Sequence, residues 1–541
     1  MNQSIGEILE EQLDFLVPNL FGAEKKRDDM KKLFVTAALA AITAFGAGAQ
    51  ELRIAFPSFE KGLDPQDNTG NSGAPMLYQI YDTLIERDSF STPLSFKAGL
   101  ATEWAQLEPT VWELKLREGV VFHNGDTLDA DDVAFSLNRM YHHEDPEFFS
   151  AWGRWHYNFS NVEVVDNHTV RIHTLREEPA FLTLISARSA GIASKEYHEK
   201  VGFDEARLNP VGTGPYQVTE FDPGRSLVLE RFDDHWGEPS ALEKVTMLHV
   251  PEVASRVTGL VNGEFDIIAQ IPPDQASAIP DEGFRTQGVT WPMFHVWLIH
   301  QNNPPTDNPL VRKAVRLCTD RQALVDGLWS GLAERPTAHQ FPEYGAPLYI
   351  EGLELIKHDP EEARRLLAEA GYDGEEMVIS HPGNYYLYGD LAAQVIQQQW
   401  AACGLNLRLQ EEDWATFHSK KPDHDDVNFR AWSNPMYYPD PMGAFDTHWS
   451  PKSWAAQRNL WVPSHPEWDS TYEQARYATD PTERRDAYQR LLELSEEESG
   501  WLLLYKPHEL YGMRDGVSFD IPIAQRPYVI PLRGGEIQVD Q

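Results

Sequence analysis

Residues able to hold a small molecule gather at a few points of the chain, and their chemistry is that of binding. The segment Arg430 to Asp440 reads RAWSNPMYYPD. It offers a guanidinium for bidentate pairing with a carboxylate (Arg430), an indole face (Trp432), an amide (Asn434), a phenol (Tyr437) and a carboxylate (Asp440). NYYLYGD adds Tyr385 and Tyr386, and Trp414 supplies another flat ring. In FHVWLIH, alternate residues of a strand face the same way, so His295, Trp297 and Ile299 share one side. The loop DNTGNS presents Asn68 and Asn71 through amides and backbone N–H groups. Each has a plainer reading: core packing for the tryptophans, a surface ion pair for Arg430, turn formation for the asparagine loop, and a structural Asp-Pro pair for Asp440.

Signatures of other chemistry do not appear. There is no G-x-S-x-G, P-loop, dinucleotide fingerprint, H-E-x-x-H or C-x-x-C pattern. His142-His143 reads as a solvated loop rather than a metal pair, and no cofactor is expected. The net charge of −38 argues against nucleic acid and against anionic lipid, and reads as solubility. The two cysteines, Cys318 and Cys403, sit in segments with helical pattern, where separate buried thiols are the commoner outcome, although an exported chain permits a disulfide between them.

The elements that must position these residues begin after an export signal. From Met30 the chain reads MKKLFVTAALAAITAFGAGAQ: a short basic region, an apolar run, and the small-residue pattern Ala47-Gly48-Ala49. Residues 30–49 are therefore read as a signal peptide cleaved before Gln50, and 1–29 as an extension ahead of the true initiator. No cysteine follows the apolar run, so no lipid anchor is expected, and an unlipidated exported protein implies a periplasm. The remainder is too long for one core and predicts two or three domains. ELRIAF alternates as a strand, and APMLYQIYDTLIERD has helical period. WELKLREGVVFHNGDTL and NVEVVDNHTVRIHT read as hairpins turning at Asn124-Gly125 and Asp166-Asn167. DPEEARRLLAEAGY is a helix capped by Asp359 and ended by Gly371. MVISHP, a helix through Trp400, and LNLRLQEED form a strand–helix–strand unit of a parallel sheet.

Several segments together carry a family likeness. They are LDP (63–65), YDTLIERD (81–88), LATEW (100–104), the run from Trp112 to Met140, and NPVGTGPY (209–216). VNGEFD (261–266), NPLVRKAVRLCTDR (308–321), DPEEARRLLAEAGY (359–372) and YPDPMGAF (438–445) follow in order. In that order they resemble solute-binding protein family 5 of ABC importers, the oligopeptide-, dipeptide- and nickel-binding type. The resemblance covers residues 50–541. It implies an α/β fold of two hinged lobes around a buried ligand cleft, the type II periplasmic binding protein of the large cluster. Lobe I would comprise 50–88, an extra subdomain at 89–208, 209–300 and 505–541; lobe II would be 301–504. Hinges would then fall near Gln301-Asn302 and Leu504-Tyr505. The partners implied are a small-molecule ligand and the ABC permease and ATPase of the inner membrane, with the protein a monomer and not an enzyme.

In peptide-binding members of the family, an Asp three residues after a Trp holds the ligand's α-amino group. Counting from Trp432, that position here is Pro435. The departure weakens the case for an ordinary dipeptide, while the aromatic residues suit sugar rings. A peptide-like ligand ranks first, an oligosaccharide or glycoside second. A secreted glycoside hydrolase and a periplasmic peptide-binding chaperone are the readings from other classes.

Overall fold

A computed structural model describes residues 51–67, 71–88, 91, 95–140, 158–383, 385–413, 416–417, 427–450, 453, 465–498, 500–520, 532–533 and 537–539. The expected extension and signal peptide, Asn68, Trp414 and His142-His143 lie outside the described residues. Among the described residues no helix is long and apolar enough to cross a membrane.

Two sheets organise the chain. The first has seven strands, in the order Phe284–Thr290, His508–Arg514, Ile267–Ile271, Glu51–Phe56, Lys244–His249, Ser226–Arg231 and Tyr216–Asp222. The opening strand sits near its centre, parallel to both neighbours. The second has five strands: Asn406–Glu412, Glu376–Pro382, Phe429–Pro435, Met293–Ile299 and Trp501–Tyr505. Glu376–Pro382 and Asn406–Glu412 are parallel and joined by the helix Gly389–Cys403, as the strand–helix–strand pattern requires.

The Met293–Ile299 strand is buried at every position because both faces of its sheet are covered. Trp297 and Ile299 pack with Val311, Trp329 and Trp400 from the helices on one side. Phe294, Val296 and Leu298 pack on the other with Trp449, Trp468 and Trp501. That second cluster continues into Leu114, Ile172 and Phe181 of an outlying unit built on a four-stranded sheet, Ala101–Glu108, Val111–Leu116, Thr169–Thr174 and Phe159–Asp166. A fully buried charge cluster joins the same two parts. Arg476 pairs with Glu178 of the outlying unit and, at 3.2 Å, with Asp446.

Among the described residues the chain crosses between the two large sheets at 291–292 and at 506–507, each crossing carrying a proline. The two crossings are tied by a hydrogen bond from Trp291 N to Pro507 O at 3.0 Å. The family resemblance implies hinges near 301–302 and 504–505 instead. Met293–Ile299 belongs instead to the second sheet, pairing with Phe429–Pro435 and Trp501–Tyr505. We call the part carrying the seven-stranded sheet lobe I and the part carrying the five-stranded sheet lobe II.

Other local expectations differ too. The helix expected through 74–88 stops at Ile80, and Tyr81 is extended. The Ile80 carbonyl accepts from Gly214 N at 2.9 Å, and a Cβ on Gly212 would lie 2.1 Å from that oxygen. The Asn124-Gly125 turn is present, with Gly125 at φ +90, but it closes only the single bridge Val121–Thr127 rather than a hairpin. Cys318 and Cys403 are bonded to each other, not separate thiols. Cys318 follows the helix Pro309–Leu317 and Cys403 ends Gly389–Cys403, and both helices pack on one face of the lobe II sheet. That packing brings the two Cα atoms to 6.3 Å. Asp359 caps its helix by accepting from Glu362 N at 3.0 Å, and Gly371 ends it at φ +74.

Candidate ligand-binding site

Lobe I offers the end of its first strand, Phe56 to Ser58, together with Ser72, Pro75, Gln270, Glu509 and Tyr511. Lobe II offers His295, Trp329, Tyr385, Tyr386 and Leu387. Between them lies a cavity of about 70 Å³. At roughly 10–15 Å³ per water, that is room for on the order of five waters. The lobes also touch directly across the gap. Tyr388, in lobe II, donates its hydroxyl to Asp274 of lobe I. The two lobes are thus closed on each other.

Local backbone choices aim the lining side chains. Gln270 has φ +54 at a register shift between Ile268 and Ile271, a bulge of the kind that redirects a side chain beside a site. The loop after the strand Glu376–Pro382 delivers Tyr385 and Tyr386, whose rings meet at 4.8 Å and 87°. Tyr386 also lies 5.1 Å from the imidazole of His295.

Electrostatically the cavity is simple. Burial pushes the His295 imidazole down to about 3, so it is neutral, and its Nδ1 lies 3.2 Å from the Tyr505 hydroxyl. Burial also raises Tyr385 and Tyr386, which stay as phenols. Glu509 is the one carboxylate among the described lining residues, and burial raises it to about 7. Among the described residues no group of His, Cys, Asp and Glu is arranged to hold a metal ion.

The sequence candidates divide. His295, Tyr385 and Tyr386 meet at the cavity wall. Trp297 and Trp432 line a smaller cavity of about 20 Å³ behind Tyr386. Trp297 is otherwise a core residue, edge-on to Trp400 at 5.6 Å. Trp432 stacks on Phe417 at 5.4 Å. Tyr437 is half-buried close to Tyr386. Asn71 opens a short 3-10 turn.

The other candidates are engaged within lobe II. Arg430 is buried, with its guanidinium 4.6 Å over the Phe417 ring and a bond to the Phe417 carbonyl. Asn434 meets His339 at 2.5 Å and donates to Ala444 O at 2.9 Å. Asp440 pairs with Arg484 at 2.7 Å and accepts from Met442 N. Sequence reasoning passed over Glu509, Gln270, Trp329 and Tyr511. The signal for Glu509 was there: a single acid at an inward position of HELYGM.

Two lobes on separate sheets, joined by paired crossings and closed over a cavity, define a periplasmic binding protein. The family is then fixed by comparison. The model of the bacterial extracellular solute-binding proteins, family 5, matches residues 95–456, and the chain belongs to that family. The glutathione-binding protein GsiB of Salmonella paratyphi A is 28% identical over 480 residues, covering 86% of this chain and 90% of the relative. The ABC transporter-associated periplasmic binding protein DppA of Helicobacter pylori, solved with the peptide STSA, superposes with a TM-score of 0.81. Its identity is 20%, over 91% of this chain and 98% of that one. AgaA of A. tumefaciens R10, solved with agropinic acid, gives 0.80 at 21% identity, over 91% and 99%.

Proposed function

We propose that this protein captures a peptide or peptide-like solute between its lobes and delivers it to the membrane permease and ATPase of an ABC importer. The observation that carries the reading is the cavity itself, walled by both lobes, which also touch through the Tyr388–Asp274 contact. A ligand that touches both walls favours the closed state over the open one, and that difference in affinity is what drives closure. The relatives GsiB and DppA, named for or solved with peptides, support the ligand class. The site is a periplasmic one, with the signal peptide cleaved before Gln50 and no lipid anchor. The protein acts as a monomer. A glycoside hydrolase needs two carboxylates across its cleft, and the described lining supplies Glu509 alone.

Mass spectrometry of ligand released from natively purified protein tests the reading. A peptide or amino-acid conjugate is expected. Recovery of saccharides only would replace it with the glycoside reading.

A further inference from the structure

Among the described residues Glu509 makes no ion pair inside lobe I, and only Arg256 acts on it from a distance. Glu509 lies on the strand His508–Arg514, directly after the crossing at 506–507, and is only 6% exposed. The hydrogen bond it accepts comes from a neutral donor, the Tyr511 hydroxyl at 3.2 Å, and the neutral Trp291 and Gln270 side chains lie beside it. The cation nearest in effect, Arg256, spends its guanidinium on backbone carbonyls, those of Val250 and Pro251 at 2.7 Å and Gln270 at 3.0 Å. The neighbouring Lys506 pairs with Glu334. His508, next in sequence, meets Thr290 at 3.0 Å. No Lys or Arg is among the described residues lining the cavity.

A buried carboxylate with no cation in contact is costly to ionise until one arrives. The opposite wall is also suited to one. Tyr385, Tyr386 and Trp329 present aromatic rings, whose faces attract a positive charge. The strand Phe429–Pro435 ends in a buried proline and brings no acid to the cavity.

Resting on the reading that this cavity is the ligand site, we infer that Glu509 receives a cationic nitrogen of the ligand, an ammonium or guanidinium, against the aromatic wall of lobe II. The acid comes from one lobe and the rings from the other, so the cation itself ties the lobes together. Proton balance follows. Burial holds the empty site's carboxyl at about 7, with His295 and the phenols not titrating in that range. A bound cation converts Glu509 to carboxylate and expels the proton to solvent.

The test is calorimetry on the full mature chain, stripped of co-purified ligand, with matched probes. These are the dipeptide Ala-Phe and its N-acetyl form, and tyramine and its N-acetyl form. Titrations in two buffers of different ionisation enthalpy count protons. The free amine of at least one pair should bind roughly 30-fold or more tighter than its acetylated partner, and Glu509→Gln should lose about the same factor. At pH 7 the wild type should release protons on binding and the variant none. The proton count on the wild type needs no variant to fold. Equal binding of Ala-Phe and its acetyl form, without proton release, overturns the role of Glu509 and leaves the peptide reading standing. Binding of tyramine but of neither dipeptide does the reverse. If no probe binds, the natively bound ligand decides: a molecule without cationic nitrogen overturns the inference, and one with it upholds it.

Discussion

Breaking the Cys318–Cys403 bridge should cost lobe II a large share of its stability. The bridge closes a sequence separation of 85 residues. Loop-closure entropy of about −2.1 − 1.5R ln n cal/mol/K then gives roughly 4.6 kcal/mol at 25 °C. Domain stabilities run on the order of 5–15 kcal/mol, so the loss is a substantial fraction of the whole. The assay is denaturant unfolding of Cys318→Ala, Cys403→Ala and the double variant, followed by tryptophan fluorescence. Trp400 reports locally, since its indole donates to Thr319, the residue after Cys318, at 2.9 Å. The midpoint of the lobe II transition should fall, and each single variant should fall as far as the double, because either removes the same crosslink. A double variant within about 1 kcal/mol of wild type would refute the reasoning. So would two free thiols in unreduced, denatured wild-type protein.

Arg476→Met strands Glu178 and Asp446 as buried acids, and should cost about 3–5 kcal/mol in chemical unfolding at pH 8. Combining it with Glu178→Gln and Asp446→Asn should recover most of that loss, which calorimetric melting can follow. For Glu509, burial lifts the folded-state carboxyl from 4.5 to about 7. Its contribution is therefore full below the unfolded value and lost as pH rises through the folded one. Glu509→Gln should leave the ligand-free protein unchanged near pH 4 and stabilise it by roughly 3 kcal/mol at pH 8. A difference that does not vary with pH would contradict that environment.

How much of this was legible depends on how far the deciding partner lies along the chain. The cap at Asp359 and the unit from 376 to 412 are local, and the sequence pattern settles them. The early end of the helix at Ile80 is decided by Gly214, which is distant in sequence and invisible to periodicity. The crossing near 291 is hidden from the sequence for another reason. A strand buried on both faces reads the same in either sheet, so MFHVWLI does not announce its lobe. The same logic divides the site. Tyr385 and Tyr386 stand in a loop whose aromatic run is conspicuous. Arg430, Asn434 and Asp440 looked equally available, but Phe417, His339, Ala444 and Arg484 occupy them.

The strand order has a consequence for how the chain comes into being. His508–Arg514 lies inside the first sheet, between Phe284–Thr290 and Ile267–Ile271, and Trp501–Tyr505 completes the second. Neither sheet can close until the segment from Trp501 onward is available. A truncation before Trp501 would leave a gap inside one sheet and an uncovered edge on the other, rather than a frayed end.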